Sequence, residues 1–314
     1  MNAPALPTQS VISVDVEDYF QVEAFSRVIR RDEWEQFPSR VEANTRRLMD
    51  VFDESGVKGT FFVLGWVADR YPNIVREIAN RGHELGCHSY WHRLVYTLTP
   101  DEFRRDTIAA KDSIEQAAGQ KVWGYRAPSF SITKRCLWAL DILADSAFRY
   151  DSSIFPIRHD WYGIPDAPRK PFRIATPSGL LTEYPMATFS FNNTPNLPVG
   201  GGGYLRLLPP WYTRVGIERA WRQGITVITY IHPWEIDPEQ PRMAACLKSR
   251  IRHYTNLGKA KERLKNMLAM GTFRPFCRVQ TGTVPVWRFG LGTEPRVPTT
   301  APALEVTATD TGLL

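Results

Sequence analysis

Apolar residues in this chain fall into short β-branched or aromatic runs separated by longer stretches of helical period. Val11–Val16 (VISVDV) predicts a buried strand, and Gly59–Leu64 (GTFFVL) and His83–Cys87 (HELGC) predict the next two. Further strands are expected near Trp123–Arg126, entering Asp151, and at Ile225–Ile231 (ITVITYI). Between them, Ser39 with Glu42 reads as a capping box opening a helix that carries Leu48 and Phe52 and stops before Gly56. Pro72 begins a helix that Gly82 ends. Thr99, Pro100 and Glu102 together start another. Helices are also expected at 134–145, 211–223, 243–254 and 260–270, the last two basic, and Phe172–Tyr184 reads as a hairpin turning at Ser178–Gly179.

Strands alternating with single helices imply parallel pairing through right-handed crossovers. The expected fold is therefore α/β, a distorted (β/α) barrel of about six or seven parallel strands with an added hairpin and C-terminal helices. The expected organisation is an N-terminal tail over 1–10, the barrel over 11–240, a basic helical extension packed on it over 241–293, and a disordered tail over 294–314. Functional groups in such barrels gather at the C-terminal ends of the strands.

Composition narrows the function classes. Of 314 residues, 39 are basic and 33 acidic, a net charge of +6 without a long like-charge run, so no nucleic-acid tail is indicated. No stretch approaches the roughly 18 apolar residues of a membrane span, and Met1–Ser10 lacks the pattern of a secretory signal, so a cytoplasmic location is expected. Cys87, Cys136, Cys246 and Cys277 form no close pair and read as buried thiols. The run Gly200–Gly203 lacks the lysine and helix of a phosphate-binding loop and reads as a lid or linker.

Chemistry-bearing residues then stand out at the strand ends. His88 and His92 follow the third strand. Four residues apart on a helical turn, their Cβ atoms would lie about 5–6 Å apart, within reach of one divalent ion. Asp15, Glu17 and Asp18 end the first strand. Strand alternation puts Asp15 and Glu17 on one face and Asp18 on the other, while a turn after Val16 would present Asp18 instead. Arg126-Ala-Pro-Ser-Phe130, Tyr150-Asp151 and Ile231-His232-Pro-Trp-Glu235 follow three more strands. Each is weak alone, but their order along the chain is informative.

That order resembles the polysaccharide deacetylase family, carbohydrate esterase family four. The resemblance rests on Asp15-Val-Glu17-Asp18, Gly59–Gly65, Gly82-His-Glu-Leu-Gly-Cys-His88 with His92, Arg126-Ala-Pro128, Tyr150-Asp151 and Ile231-His232. The spellings Asp-Val-Glu-Asp-Tyr-Phe and His-Pro-Trp-Glu-Ile-Asp-Pro, with the C-terminal extension, look closest to a subfamily associated with exosortase (PEP-CTERM) exopolysaccharide loci. The resemblance implies a metal-dependent hydrolase that removes N-acetyl groups from an amino-sugar polysaccharide, oligosaccharide or precursor, as in exopolysaccharide biosynthesis. It implies a divalent metal, Zn²⁺ first with Co²⁺ or Ni²⁺ as alternatives, held by His88, His92 and one carboxylate, Glu17 or Asp18. Asp15 would be the general base and His232 the general acid. Asp151 would orient His232, and Arg126 would hold Asp15. The family often has tyrosine and leucine where Ser129 and Tyr230 stand, so these two would shape the acetyl pocket, with a backbone N–H near Ser129 facing the oxyanion. Trp161 and Trp211, flanked by loop residues, are candidate sugar-stacking surfaces. Two other functions share parts of this pattern. A cyclic amide or ureide hydrolase of the same fold would have a narrow, lidded site, and a carbohydrate-binding protein would need no acid and base.

Overall fold

In the computed structural model, residues 9–191, 194–279 and 284–287 are described. The expected tail at 294–314 lies outside them. The first strand begins at Gln9, and Ser10 within it is buried, inside the stretch expected as an N-terminal tail.

Strand β1 (Gln9–Val16) is central. It pairs in parallel with β2 (Thr60–Val63) on one side and with β10 (Val227–Ile231) on the other. Helix α1 (Val41–Glu54) connects β1 to β2. Helices α2 (Gly65–Arg70) and α3 (Pro72–Asn80) lead to β3 (Glu84–Cys87). Then come α4 (Pro100–Ala118), β4 (Gly124–Tyr125), α5 (Trp138–Asp145) and β5 (Tyr150–Asp151). The hairpin β6 (Phe172–Thr176) and β7 (Gly179–Glu183) is antiparallel, and β7 pairs in parallel with β5. A small pair, β8 (Thr188–Phe189) and β9 (Leu197–Pro198), precedes α6 (Gly202–Leu207) and α7 (Pro210–Arg222). After β10 come α8 (Leu247–Tyr254), α9 (Leu257–Leu268), β11 (Thr272–Arg274) and β12 (Val286–Trp287).

The strand order is β10-β1-β2-β3-β4-β5-β7-β6-β12, with β11 also on β1. The fold is thus α/β with a mostly parallel sheet. Among the described residues the ladder runs from β10 to β12 without closing into a ring. The segment after β7 nevertheless runs back against β10, where the Ala187 N–H donates to the Ile228 carbonyl at 3.2 Å. The last segment of the chain is not purely helical, since β11 and β12 join the sheet.

Side-chain parity divides the strands into two faces. Val11, Phe62, Tyr150, Tyr184, Ile228 and Tyr230 cluster with Phe276 inside the curved sheet. Ile12, Val14, Phe61, Val63 and Tyr125 join the larger core under the helices. The inner positions of β3 and β4 are glycines for a steric reason. A Cβ on Gly86 would lie 2.4 Å from the Phe62 ring, and one on Gly124 would lie 2.0 Å from that of Tyr150. Neighbouring aromatics fill that space. At the N-terminal end of the strands, Glu84 accepts from Thr60 Oγ1 (2.6 Å), Tyr150 Oη (2.8 Å) and the Cys277 N–H (3.0 Å). The floor is therefore plugged, and the opposite rim is where a site can open.

Three local expectations are corrected. Ser39 and Glu42 form no capping box at α1, where Ser39 Oγ reaches only the Val41 N–H, at 3.4 Å. The Asp18 carboxylate reaches across and takes the Arg40 N–H (2.8 Å), the Val41 N–H (3.1 Å) and the Ser39 hydroxyl (2.7 Å) instead. The box at Thr99–Glu102 does form, with Gly119 ending α4 at φ 69°. Of the four thiols, Cys87 and Cys136 are buried, but Cys246 and Cys277 are exposed on the C-terminal segment. The glycine run is neither lid nor linker. Gly202, at φ 48°, opens α6, and a Cβ there would meet Tyr230 Oη at 2.6 Å, so the glycines let the backbone lie directly on that ring.

Candidate metal centre

Glu17 is the first residue past β1, where a tight turn (Glu17 N–H to Asp15 C=O, 3.1 Å) keeps its side chain on the Asp15 side. Asp18 faces the other way, and its carboxylate is committed to the start of α1. Of the two carboxylates, Glu17 is the one that stands with His88 and His92, and a turn, not a continued strand, puts it there. His88 follows β3 directly. The segment to His92 is not the expected helical turn, because Ser89 and His92 take positive φ (68° and 49°), which folds the chain back on itself. The two rings end 5.3 Å apart between centroids. Asp106 on α4 fixes the fold-back by accepting the Tyr90 N–H at 2.8 Å and the Trp91 N–H at 3.3 Å.

Ligand atoms of Glu17, His88 and His92, all buried, lie within 4.8 Å of one another. Glu17 Oε2 is 2.9 Å from His92 Nε2 but lacks hydrogen-bond geometry, and it is one of the buried polar atoms left without a partner. His88 Nδ1 is occupied by the Arg126 carbonyl at 2.8 Å, which leaves Nε2 as the lone-pair atom for the site. One carboxylate and two imidazoles, with an orphaned oxygen among them, fit a divalent ion of borderline softness such as zinc and leave open coordination positions. Charge states suit this. Burial pulls the His88 pKa down to about 4, so its ring is neutral at pH 7. Burial also opposes ionisation of Glu17, but His92 and His232 outweigh it and hold the carboxyl at about 2.

Two groups flank the triad. Asp15 Oδ1 accepts from Arg126 Nη1 at 2.8 Å. That guanidinium is wholly buried and also donates to Ser13 Oγ, the Ser152 carbonyl and Ser152 Oγ, with the Phe62 ring 4.3 Å below it. His232 lies across the site with Nε2 3.5 Å from Glu17 Oε1. Its Nδ1 meets Glu235 Oε1 at 2.7 Å. Burial lowers its pKa, but Glu17 and Glu235 outweigh that and raise it to about 9. Trp234 stacks on His232 (5.1 Å, 18°) and donates its indole N–H to Glu17 Oε1 at 3.2 Å.

Asp151 does not orient His232. Tyr150 fills the inner face, so Asp151 points to the helical side and stands opposite Glu183 in the β5–β7 ladder. Two buried acids so placed cannot both ionise. Burial and the Asp151 charge push Glu183 well up, while burial raises Asp151 to about 6. Asp151 Oδ1 accepts from Ser153 Oγ (2.5 Å), and Ser153 accepts the Ala127 N–H (2.8 Å), so the pair braces the turn beside Arg126. Glu235 and Trp234 are the residues at His232 that motif reading did not assign.

Of the expected substrate residues, Ser129 sits in a short turn (Pro128–Phe130) at φ 51°. Tyr230 presents its edge to His232 at 5.3 Å and packs on Phe130. Trp161 and Trp211 are 50% and 60% exposed, and Trp161 has the Arg252 guanidinium 5.7 Å from its ring. No described contact ties either tryptophan to the triad. A groove of about 420 Å³ opens beside His92 instead, lined by the segment from Phe20 to Trp34. Gln21 is part of it. Its Oε1 accepts the Asp18 N–H at 2.7 Å, while its Nε2 has no partner.

Comparison with known proteins divides the chain in two. Residues 33–144 match the family model for polysaccharide deacetylase, and residues 152–281 match that of a domain of unknown function (DUF3473). The chain is 36% identical over 98 residues to a peptidoglycan-N-acetylglucosamine deacetylase of Bacillus cereus, spanning 31% of this chain and 36% of that protein. It is 28% identical over 103 residues to a chitooligosaccharide deacetylase of Bradyrhizobium, spanning 33% and 45%. These matches cover less than half the length of either relative. The crystal structure of a candidate polysaccharide deacetylase from Mycobacterium smegmatis shares the fold at a TM-score of 0.58 and 21% identity, covering 87% of this chain and 88% of that one.

Proposed function

We propose, on the premise that residues 33–144 belong to the polysaccharide deacetylase family, that this protein hydrolyses N-acetyl groups on an amino-sugar polymer or its precursor. The observation that carries the reading is the convergence of Glu17, His88 and His92 between Asp15 and His232. Within this reading 11–240 is the catalytic unit and 241–293 its extension.

The reaction forms a bond from water oxygen to the acetyl carbon and breaks the C–N bond, giving acetate and a free amine. Glu17, His88 and His92 would hold a divalent ion, Zn²⁺ first, which supplies Lewis-acid polarisation of the acetamide carbonyl. Asp15 takes the proton from the attacking water, and Arg126 fixes its carboxylate through Oδ1. His232 Nε2 delivers a proton to the departing nitrogen. The Ser129 turn offers a backbone N–H to the developing oxyanion, and Tyr230 walls the acetyl methyl. The groove beside His92 would take a neighbouring sugar, with Gln21 Nε2 as a donor to it. Trp161 and Trp211 belong to this reading only as outer stacking surfaces. The extension and the spellings around Glu17 and His232 support a role in exopolysaccharide synthesis.

The test is an acetate-release screen over N-acetylated chito-oligosaccharides and peptidoglycan fragments, run on zinc-loaded and chelator-treated protein. Acetate released only by the loaded protein is the expected result. Loaded protein that binds the oligosaccharides without releasing acetate would overturn the reading.

A further inference from the structure

Arg206 is among the largest fully buried side chains of the molecule, and no step of the hydrolysis calls for it. Its Nε donates to Glu235 Oε2 at 2.5 Å. Its Nη1 donates to the carbonyls of His253 (3.0 Å) and Thr255 (2.8 Å), and its Nη2 to that of Arg252 (3.0 Å). These carbonyls lie at the C-terminal end of α8, where a helix leaves its last acceptors unpaired. The backbone that carries Arg206 is tied to the same region, since Asn256 Nδ2 and Arg263 Nη1 donate to the Arg206 carbonyl at 2.8 and 2.6 Å. All three guanidinium nitrogens therefore have acceptors, and the backbone that carries them is held to the same region.

We propose that Arg206 and Glu235 are positioning residues, and that through them the end of α8 sets the ring orientation of the proton donor His232. Trp234 stacks on one face of the imidazole and Tyr230 meets it edge-on, but neither prevents the ring from flipping about its Cβ–Cγ bond. Glu235 does so by holding Nδ1 at 2.7 Å, which keeps Nε2 on the Glu17 side where the scissile nitrogen must lie. Glu235 in turn cannot rotate while Arg206 holds its other oxygen. His253 at the end of α8 adds a second tie by stacking on Trp234 (4.1 Å, 13°). A buried ion pair is a poor source of stability but a good source of fixed geometry. In the step it serves, the C–N bond breaks, the nitrogen takes the proton from Nε2, and the imidazole is left neutral with its Nδ1–H still on Glu235. The role of the C-terminal segment is thus to complete the acid half of the site.

The kinetic test rests on the deacetylase reading and compares two leaving groups. An amine needs the proton, whereas the phenolate of 4-nitrophenyl acetate leaves without one. Zinc-loaded Arg206→Met and Glu235→Gln are expected to lose about 100-fold in kcat on N-acetylated oligosaccharide, at the low end of what a positioned general acid contributes. Their KM on the oligosaccharide should shift less than threefold, and the ester-to-amide rate ratio should rise about 30-fold or more. Arg206→Lys, which keeps the charge without the fork, should recover part of the loss. A parallel fall on both substrates, or an amide rate that does not fall, would overturn the inference. A second readout needs no turnover. In ¹⁵N-histidine-labelled protein the His232 Nδ1–H should give a slowly exchanging, low-field proton signal that is lost in Glu235→Gln. Its absence from the wild type would overturn the inference whatever the substrate, whereas its presence in a protein that releases no acetate would leave the positioning intact and sink the deacetylase reading alone.

Discussion

Replacing Asp18 with alanine separates the two readings of the first motif. The Asp18 carboxylate accepts four hydrogen bonds. Oδ2 takes those from Ser39 Oγ, Arg40 N–H and Val41 N–H, and Oδ1 takes that from the Tyr19 N–H. Two of these donors are orphan amides at the start of α1, and losing such a cap costs about 0.5–2 kcal/mol. Leaving the remaining buried donors unpaired adds about 1–3 kcal/mol. An offset exists, because burial pushes the Asp18 pKa up despite these bonds, so removing the acid also removes a desolvated carboxylate. The net expectation is a loss of about 2–4 kcal/mol, or roughly 3–6 °C in Tm for a chain of this size. Asp18→Asn, which keeps an acceptor oxygen, should lose about half as much. The assay is thermal unfolding of chelator-treated protein, with bound zinc measured separately at 20 °C on reconstituted protein. Asp18→Ala should bind zinc at wild-type stoichiometry. An unshifted Tm together with lost zinc would refute the assignment of Asp18 to the helix and Glu17 to the metal.

Glu17→Gln should lower zinc affinity by more than the roughly 10–100-fold typical of a supporting residue, and isothermal titration calorimetry measures it. Metal-free protein should weaken as pH falls from 6.5 to about 4, because burial holds folded His88 near 4 and the unfolded chain binds the proton first. That contribution is about 3 kcal/mol at full extent, with His83 (about 4) and His253 (about 3) acting in the same direction. Urea titrations across this range should show a shallower slope for His88→Asn, and an unaltered slope would count against the buried neutral ring. Gly202→Ala should cost about 1–3 kcal/mol, since its φ of 48° and the 2.6 Å approach to Tyr230 Oη leave no room for a methyl. Equal Tm values for the variant and the wild type would contradict the packing.

The strand and helix alternation was legible where a strand is a nearly continuous apolar run, as in β2 (TFFV) and β10 (VITYI), and where a helix carries its own start signal, as Pro72 does for α3 and Thr99–Glu102 for α4. Parity carried part of the site as well. It predicted Asp15 and Glu17 on one side, which the structure reaches through the turn after Val16, and applied to Tyr150 it would also have turned Asp151 away from His232, since Tyr150 occupies the inner face. The fold-back at His88–His92 was not legible. It depends on positive φ at Ser89 and His92 and on Asp106 holding the loop from α4, and sequence spacing encodes neither. Glu235 stood in plain sight three residues after His232, yet acid at that spacing reads equally well as a turn cap. Arg206 could not be assigned from sequence at all, because its partners are the carbonyls of a helix end some 46–49 residues away.

β1 lies between β2 and β10, and this has a consequence for biosynthesis. Pairing with β2 needs only the first quarter of the chain, whereas pairing with β10 waits for residues 227–231 to leave the ribosome. Glu17, His88 and His92 therefore emerge early, and His232 with Glu235 emerges late. On the proposed reading, a polypeptide cut before β10 would carry all three metal-holding residues and lack the acid that the hydrolysis needs.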